Sequence, residues 1–192
     1  MGLIFRGGTL QYTGSTAQTT DRAIRVSTTG GAFIDASGST IDATLSFTRS
    51  SSPDFFEASG NRQVTFTGTN QGNNTFNMAI TQTGGNTTVN KTGTGTWRLG
   101  GASTYTGDTN INAGMLLLTG SLANSKVTVA SGATFGGTGT AAGEIIINGT
   151  LSPGQMPSSP ETDWAPSPSP TRSTLPRAAA TSSSSVPRLA AA

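Results

Sequence analysis

Short Thr-, Val- and Ile-bearing runs with period-two alternation recur throughout residues 1–154, and each is cut off within a few residues by Gly, Asn, Ser or Asp. Alternation at period two sends successive side chains to opposite faces of a strand. No window combines an apolar face at helical spacing with a capping residue, so the pattern predicts essentially no α-helix. The candidate strands are Thr9–Tyr12, Ala23–Val26, Ala32–Asp35, Thr44–Thr48, Gln63–Thr67, Thr75–Ile80, Thr87–Asn90, Thr96–Leu99, Thr109–Asn112, Met115–Leu118, Lys126–Val129 and Glu144–Ile147. Strand starts mostly about 9–15 residues apart suit either an antiparallel sandwich or a right-handed parallel β-helix.

Three features favour the β-helix. Loosely recurring phrases, such as Thr92-Gly93-Thr94-Gly95-Thr96 and Gly137-Thr138-Gly139-Thr140, are the mark of a solenoid. Asn and Thr cluster at strand ends, where stacked turns let like polar side chains hydrogen-bond in ladders. The apolar residues are mostly single Val, Ile, Leu or Phe, which a narrow stacked core can absorb. Rungs of roughly 20–25 residues would make about six or seven turns.

Composition excludes several kinds of chemistry. With no His and no Cys there is no Ser-His-Asp triad, no thiol nucleophile, no disulfide and no zinc site of the usual ligands. A net charge of +2 gives no field to gather nucleic acid. No run approaches the roughly 20 apolar residues of a membrane helix. Gly136-Gly137-Thr138-Gly139 is not followed by the Lys-Ser or Lys-Thr of a phosphate loop.

Carboxylates are the acid-base groups that remain. Asp35 with Asp42, or Asp54 with Glu57, would have to serve a glycosidase-like mechanism, which needs two carboxyls at a fixed separation. Asp beside Gly, Ser and Asn is more often a turn residue bonded to its own backbone. Asp35, Asp42 and Asp108 are also the candidates for a weak surface cation. The expectation is therefore no catalytic residue, no cofactor and no metal site.

A boundary falls after Gly154. Every Gly lies at or before that residue, and every Asn at or before Asn148. Seven of the nine Pro fall in 155–192, where Ser, Ala and Pro dominate. Such a segment buries too little apolar surface to offset its ordering entropy, so 155–192 reads as a disordered tail. Two origins stay open for it: a shifted reading frame or a Pro-rich linker.

The stretch from Gly93 to Leu116, GTGTWRLGGASTYTGDTNINAGML, resembles the autotransporter-associated β-strand repeat. Its marker positions are Gly93, Gly95, Trp97, Leu99, Thr104, Tyr105, Thr106, Gly107, Ile111, Gly114 and Leu116, within a repeat signature at 93–118. Ser103 departs from the Asn usual in that family. The resemblance continues more loosely through Val127–Thr140 and Asn148–Gly154, and weakly over 1–92. It implies a right-handed β-helical passenger segment, displayed at the cell surface by an outer-membrane β-barrel that lies elsewhere in the parent protein. It also implies a structural or adhesive role without catalysis, with a surface glycan or a host or matrix protein as partner. The alternative is a carbohydrate-active or carbohydrate-binding solenoid.

The chain shows no run of signal-peptide character at Met1–Gly8 and reads as a piece of something longer. Between Arg49 and Asn61 the repeat pattern lapses, and the segment reads as a loop leaving the rod. Arg49, Phe55, Phe56 and Arg62 border that loop and form the candidate contact surface.

Overall fold

β-Branched and aromatic residues at alternate positions favour strand, while the Gly and Asn between them permit the sharp corners that bring the chain back onto itself. The computed structural model describes residues 2–50 and 60–154. The first turn carries β1 (Leu3–Phe5), β2 (Thr9–Tyr12) and β3 (Gln18–Thr20), and the second β4 (Ile24–Val26), β5 (Ala32–Ala36) and β6 (Leu45–Phe47). The third carries β7 (Arg62–Thr67) and β8 (Asn74–Phe76). The fourth, β9 (Thr87–Lys91), β10 (Thr96–Leu99) and β11 (Ala102–Ser103), sets a triplet that recurs. It returns as β12 (Thr109–Ile111), β13 (Met115–Leu118) and β14 (Ser121–Leu122), then as β15 (Val127–Val129), β16 (Thr134–Gly137) and β17 (Thr140–Ala141). A seventh turn holds β18 (Ile145–Ile147) and β19 (Thr150–Pro153).

Equivalent strands stack in parallel into two seven-stranded sheets, β2-β5-β7-β9-β12-β15-β18 and β3-β6-β8-β10-β13-β16-β19. A third face is shared by β1-β4 at one end and β11-β14-β17 at the other. This is a parallel β-solenoid, and the antiparallel sandwich is excluded. At about 4.8 Å per rung the seven turns rise roughly 30 Å.

The core runs as vertical rows of like positions. In the first sheet, Ile34, Phe66, Lys91, Ile111 and Val129 stack inward in register. In the second, Asn74, Trp97, Leu116 and Phe135 form one inward row, and Phe47, Phe76, Leu99 and Leu118 the other. Phe47, Phe66, Phe76 and Trp97 are fully buried, with ring centroids 5.0–5.5 Å apart at tilted or edge-on angles. Such aromatic pairs add about 0.5–1.5 kcal/mol each beyond area burial. At the β18–β19 end, Ile145, Ile147 and Leu151 belong to inward rows but remain 37%, 37% and 47% exposed.

Two expectations are corrected. The rungs are not uniform: Ala32 pairs with Val64, 32 positions on, whereas Val127 pairs with Ile145, 18 positions on. Insertions between strands account for the difference. The expected strand Thr75–Ile80 ends at Phe76, where the chain turns a corner and Gly100 N donates to the Phe76 carbonyl at 2.8 Å. Two-residue strands such as Ala102–Ser103 and Ser121–Leu122 carry no periodicity to detect. Asp54, Phe55, Phe56, Glu57 and the tail 155–192 lie outside the described residues. Among the described residues no helix is long and apolar enough to cross a membrane.

Candidate functional site

The repeat-like stretch owes its geometry to alternation. Trp97, Leu99, Tyr105, Ile111 and Leu116 point inward and are at most 2% exposed, while Thr104 and Thr106 face solvent. Trp97 satisfies its indole by donating Nε1 to the Thr67 carbonyl at 2.8 Å, one rung below. Gly95 and Gly107 sit where a Cβ would lie 2.4 and 2.3 Å from the carbonyl oxygens of Asn70 and Thr87. Thr106 is tied to the preceding rung, its N and Oγ1 both bonding to Gln82. Where the family pattern has Asn, Ser103 Oγ accepts the Ile80 N–H at 3.0 Å and so bridges neighbouring rungs itself.

A buried hydroxyl chain fixes the next corner. Tyr105 Oη and Thr109 Oγ1 lie 2.6 Å apart, Thr109 Oγ1 and Ser125 Oγ 2.7 Å, and Ser125 Oγ donates to the Gly107 carbonyl at 2.8 Å. Burial pushes the Tyr105 phenol up to about 12, only partly opposed by its bonds to Thr109 and Ser125.

Lys91 is the residue that sequence reasoning missed. It occupies an inward position between Phe66 and Ile111 and is fully buried. Its Nζ donates to the carbonyls of Thr92, Gly93 and Ala113 at 2.8, 2.8 and 3.1 Å. Gly93 and Gly114 adopt φ of +69° and +65°, and a Cβ on Gly114 would meet Lys91 Nζ at 2.8 Å. Desolvation pulls the ammonium down to about 8. The detectable signal was parity, because Lys91 shares the face of Val89.

Buried amides hold the earlier rungs. Asn74 Oδ1 accepts the Leu45 N–H, and its Nδ2 donates to the carbonyls of Asn70 and Thr96, linking three successive turns. Asn70 Nδ2 donates to Gly38 and Thr40, and its Oδ1 accepts from Gly72 N.

The candidate contact residues separate. Arg62 is 4% exposed, and its guanidinium donates to the carbonyls of Val26, Gly60 and Thr83. It is a buried brace between turns and not a surface cation, because its inward parity on β7 turns it under the sheet. Arg49 is half-buried, with its Nε buried and without a hydrogen-bond partner.

Nor do the described carboxylates converge. Asp35 accepts from Gln11 Nε2 at 3.0 Å and Ser37 Oγ at 2.5 Å, and Asp108 lies 3.7 Å from Lys126 Nζ. Asp42 sits in an exposed turn. No group of three Asp or Glu among the described residues is arranged to hold a metal ion.

The outer face of the first sheet is the more distinctive surface. Outward positions stack as Phe33, Thr65, Asn90, Asn110 and Thr128, of which Thr65 is only 4% exposed, and Asn110 Nδ2 donates to Asn90 Oδ1 at 3.1 Å. Beside this row lies a groove of about 300 Å³, lined by Thr28, Gly31, Asn61, Arg62, Gln63, Thr88 and Asn90.

Comparison with known proteins adds to the geometry. Residues 89–118 match the model of the passenger-associated-transport-repeat. The chain is also 36% identical over 139 residues to a protein of Brucella suis biovar 1 (strain 1330), named adhesin BmaC autotransporter. That similarity covers 69% of this chain and 4% of the much longer relative. No solved structure matches.

Proposed function

We propose that this autotransporter passenger segment, a β-solenoid built around a passenger-associated-transport-repeat, serves as a surface-displayed stalk and adhesive scaffold with no catalytic activity of its own. The observation that carries this reading is the continuous stack itself: seven rungs hydrogen-bonded in register, with an aromatic and amide-braced interior. Such a rod presents a long, regular outer surface at little cost in large apolar side chains. The relative's name as an adhesin supports the adhesive half of the reading. The parent protein's β-barrel anchor, its cell-surface location and a glycan, host or matrix partner are parts of the same proposal.

Described carboxylates that are committed to Gln11, Ser37 and Lys126 favour structure over hydrolysis. The test is to display the chain on a bacterial outer membrane and count cells retained on glycan- and matrix-coated surfaces. Retention above that of the same strain without the chain is expected, together with no polysaccharide turnover. Turnover that disappears in Asp35→Asn or Asp42→Asn would instead establish the enzymatic alternative.

A further inference from the structure

We infer that the groove at Asn61, Gln63, Thr88 and Asn90 is a binding subsite for an uncharged glycan. The inference deepens the adhesive reading and rests on it. Three carboxamides converge there from two successive rungs, because Gln63 is paired in register with Thr88, and Thr65 with Asn90. Each amide is held by one end and offers the other. Asn61 Oδ1 accepts the Asn86 N–H at 3.0 Å, which leaves the Nδ2 donor of this exposed residue. Gln63 Nε2 donates to Thr65 Oγ1 at 3.3 Å, which leaves Oε1. Asn90 Oδ1 is taken by Asn110, which leaves Nδ2. The site therefore presents two donors and one acceptor that are already oriented, so little side-chain ordering remains to be done on binding.

That donor and acceptor set matches the chemistry of adjacent sugar hydroxyls, each of which both gives and takes a hydrogen bond. The hydroxyls of Thr28 and Thr88 extend it. Among the described residues no carboxylate lines the groove, and the one charged residue among them, Arg62, is buried with its guanidinium bonded to main-chain carbonyls of Val26, Gly60 and Thr83. An acidic ligand thus finds no outward-facing cation among the described lining residues. Phe33, half-exposed and paired in the outward row with Thr65, stands diagonal to Gln63. It lies beside the groove rather than in its lining, and would offer an apolar edge to the C–H face of a pyranose that extends beyond Gln63. Gly31 also lines the groove; with φ of +74° and a Cβ that would come within 2.8 Å of the Gln63 carbonyl oxygen, only glycine lets the two rungs approach so closely there.

The test is saturation-transfer NMR on the full 192-residue chain with four probes. Three are neutral: a mannose trisaccharide, lactose and an N-acetylglucosamine trimer. The fourth is a sulfated disaccharide. Saturation transfer to at least one neutral probe is expected, with a roughly tenfold loss of affinity in Gln63→Ala, the scale of one or two lost hydrogen bonds. Gln63 is exposed, so the variant keeps its fold, as an unchanged denaturation midpoint would verify. Phe33→Ser is the second variant and should weaken the same probe, while Thr128→Ala, two rungs beyond Asn90 on the same face, should not. Absence of transfer to every neutral probe, transfer only to the sulfated one, or binding undiminished in both variants would overturn the inference. If Gln63→Ala cells still adhere while the isolated chain shows no neutral-glycan binding, the adhesive reading survives and the groove is not its site.

Discussion

The Trp97 indole nitrogen donates to the Thr67 carbonyl at 2.8 Å, across 30 positions of sequence and one rung of the stack. The ring is fully buried and packs 5.0 Å from Phe66. One side chain therefore closes a turn, fills the core and satisfies a main-chain acceptor.

Trp97→Ala should accordingly cost about 3–5 kcal/mol, the usual range for emptying a large aromatic site. Trp97→Phe retains most of the packing but orphans the Thr67 carbonyl, and should cost about 1–3 kcal/mol. Denaturant unfolding of both variants would check the order; equal losses would assign the whole effect to the indole hydrogen bond rather than to the packing of the ring.

Asn74 makes a separate prediction. Asn74→Leu keeps volume but strands the Leu45 N–H and the Thr96 carbonyl in the interior, at about 1–3 kcal/mol for each orphaned group. Thr75 is its neighbour on the outward parity, and Thr75→Val should cost well under that. Thermal unfolding of the pair would measure the contrast.

Lys91 makes stability depend on alkaline pH. Its ammonium titrates near 8 in the folded chain, against 10.5 unfolded, so between those values the unfolded chain holds more protons. Stability then rises with pH across that window, and below pH 8, where both states are protonated, the penalty of burying the charge is fully present. At about 1.4 kcal/mol per unit the rise is at most ~3 kcal/mol. Tyr105 acts in the opposite sense, losing its proton near 10 unfolded and near 12 folded, so stability falls across that range. Denaturation midpoints from pH 7 to 12 should pass through a maximum near 10, and Lys91→Met should abolish the rising limb alone.

Glycines in the left-handed region should not be equivalent. Gly132→Ala, with φ of +80° and open space around it, should lose about 1–2 kcal/mol from backbone strain. Gly114→Ala adds contacts of 2.5 and 2.6 Å with the carbonyls of Gly95 and Gly93, and crowds Lys91 Nζ. It should cost clearly more, and refolding yields of the two variants would report the difference.

What alternation alone determined is considerable: the all-strand character, most of the longer strands though not Thr134–Gly137 or Thr150–Pro153, and the inward set Trp97, Leu99, Ile111 and Leu116. Parity is a local property, enforced residue by residue by the pleat. Tertiary structure decided which rung meets which. A loop's closure entropy changes only slowly with its length, so rungs of 18 and of 32 residues are both affordable, and no local signal distinguishes them. For the same reason Arg62 looked like a surface cation until its partners at Val26 and Thr83 came into register. The groove between Asn61, Gln63 and Asn90 likewise exists only because two turns, 25 residues apart at Arg62 and Thr87, stack edge to edge.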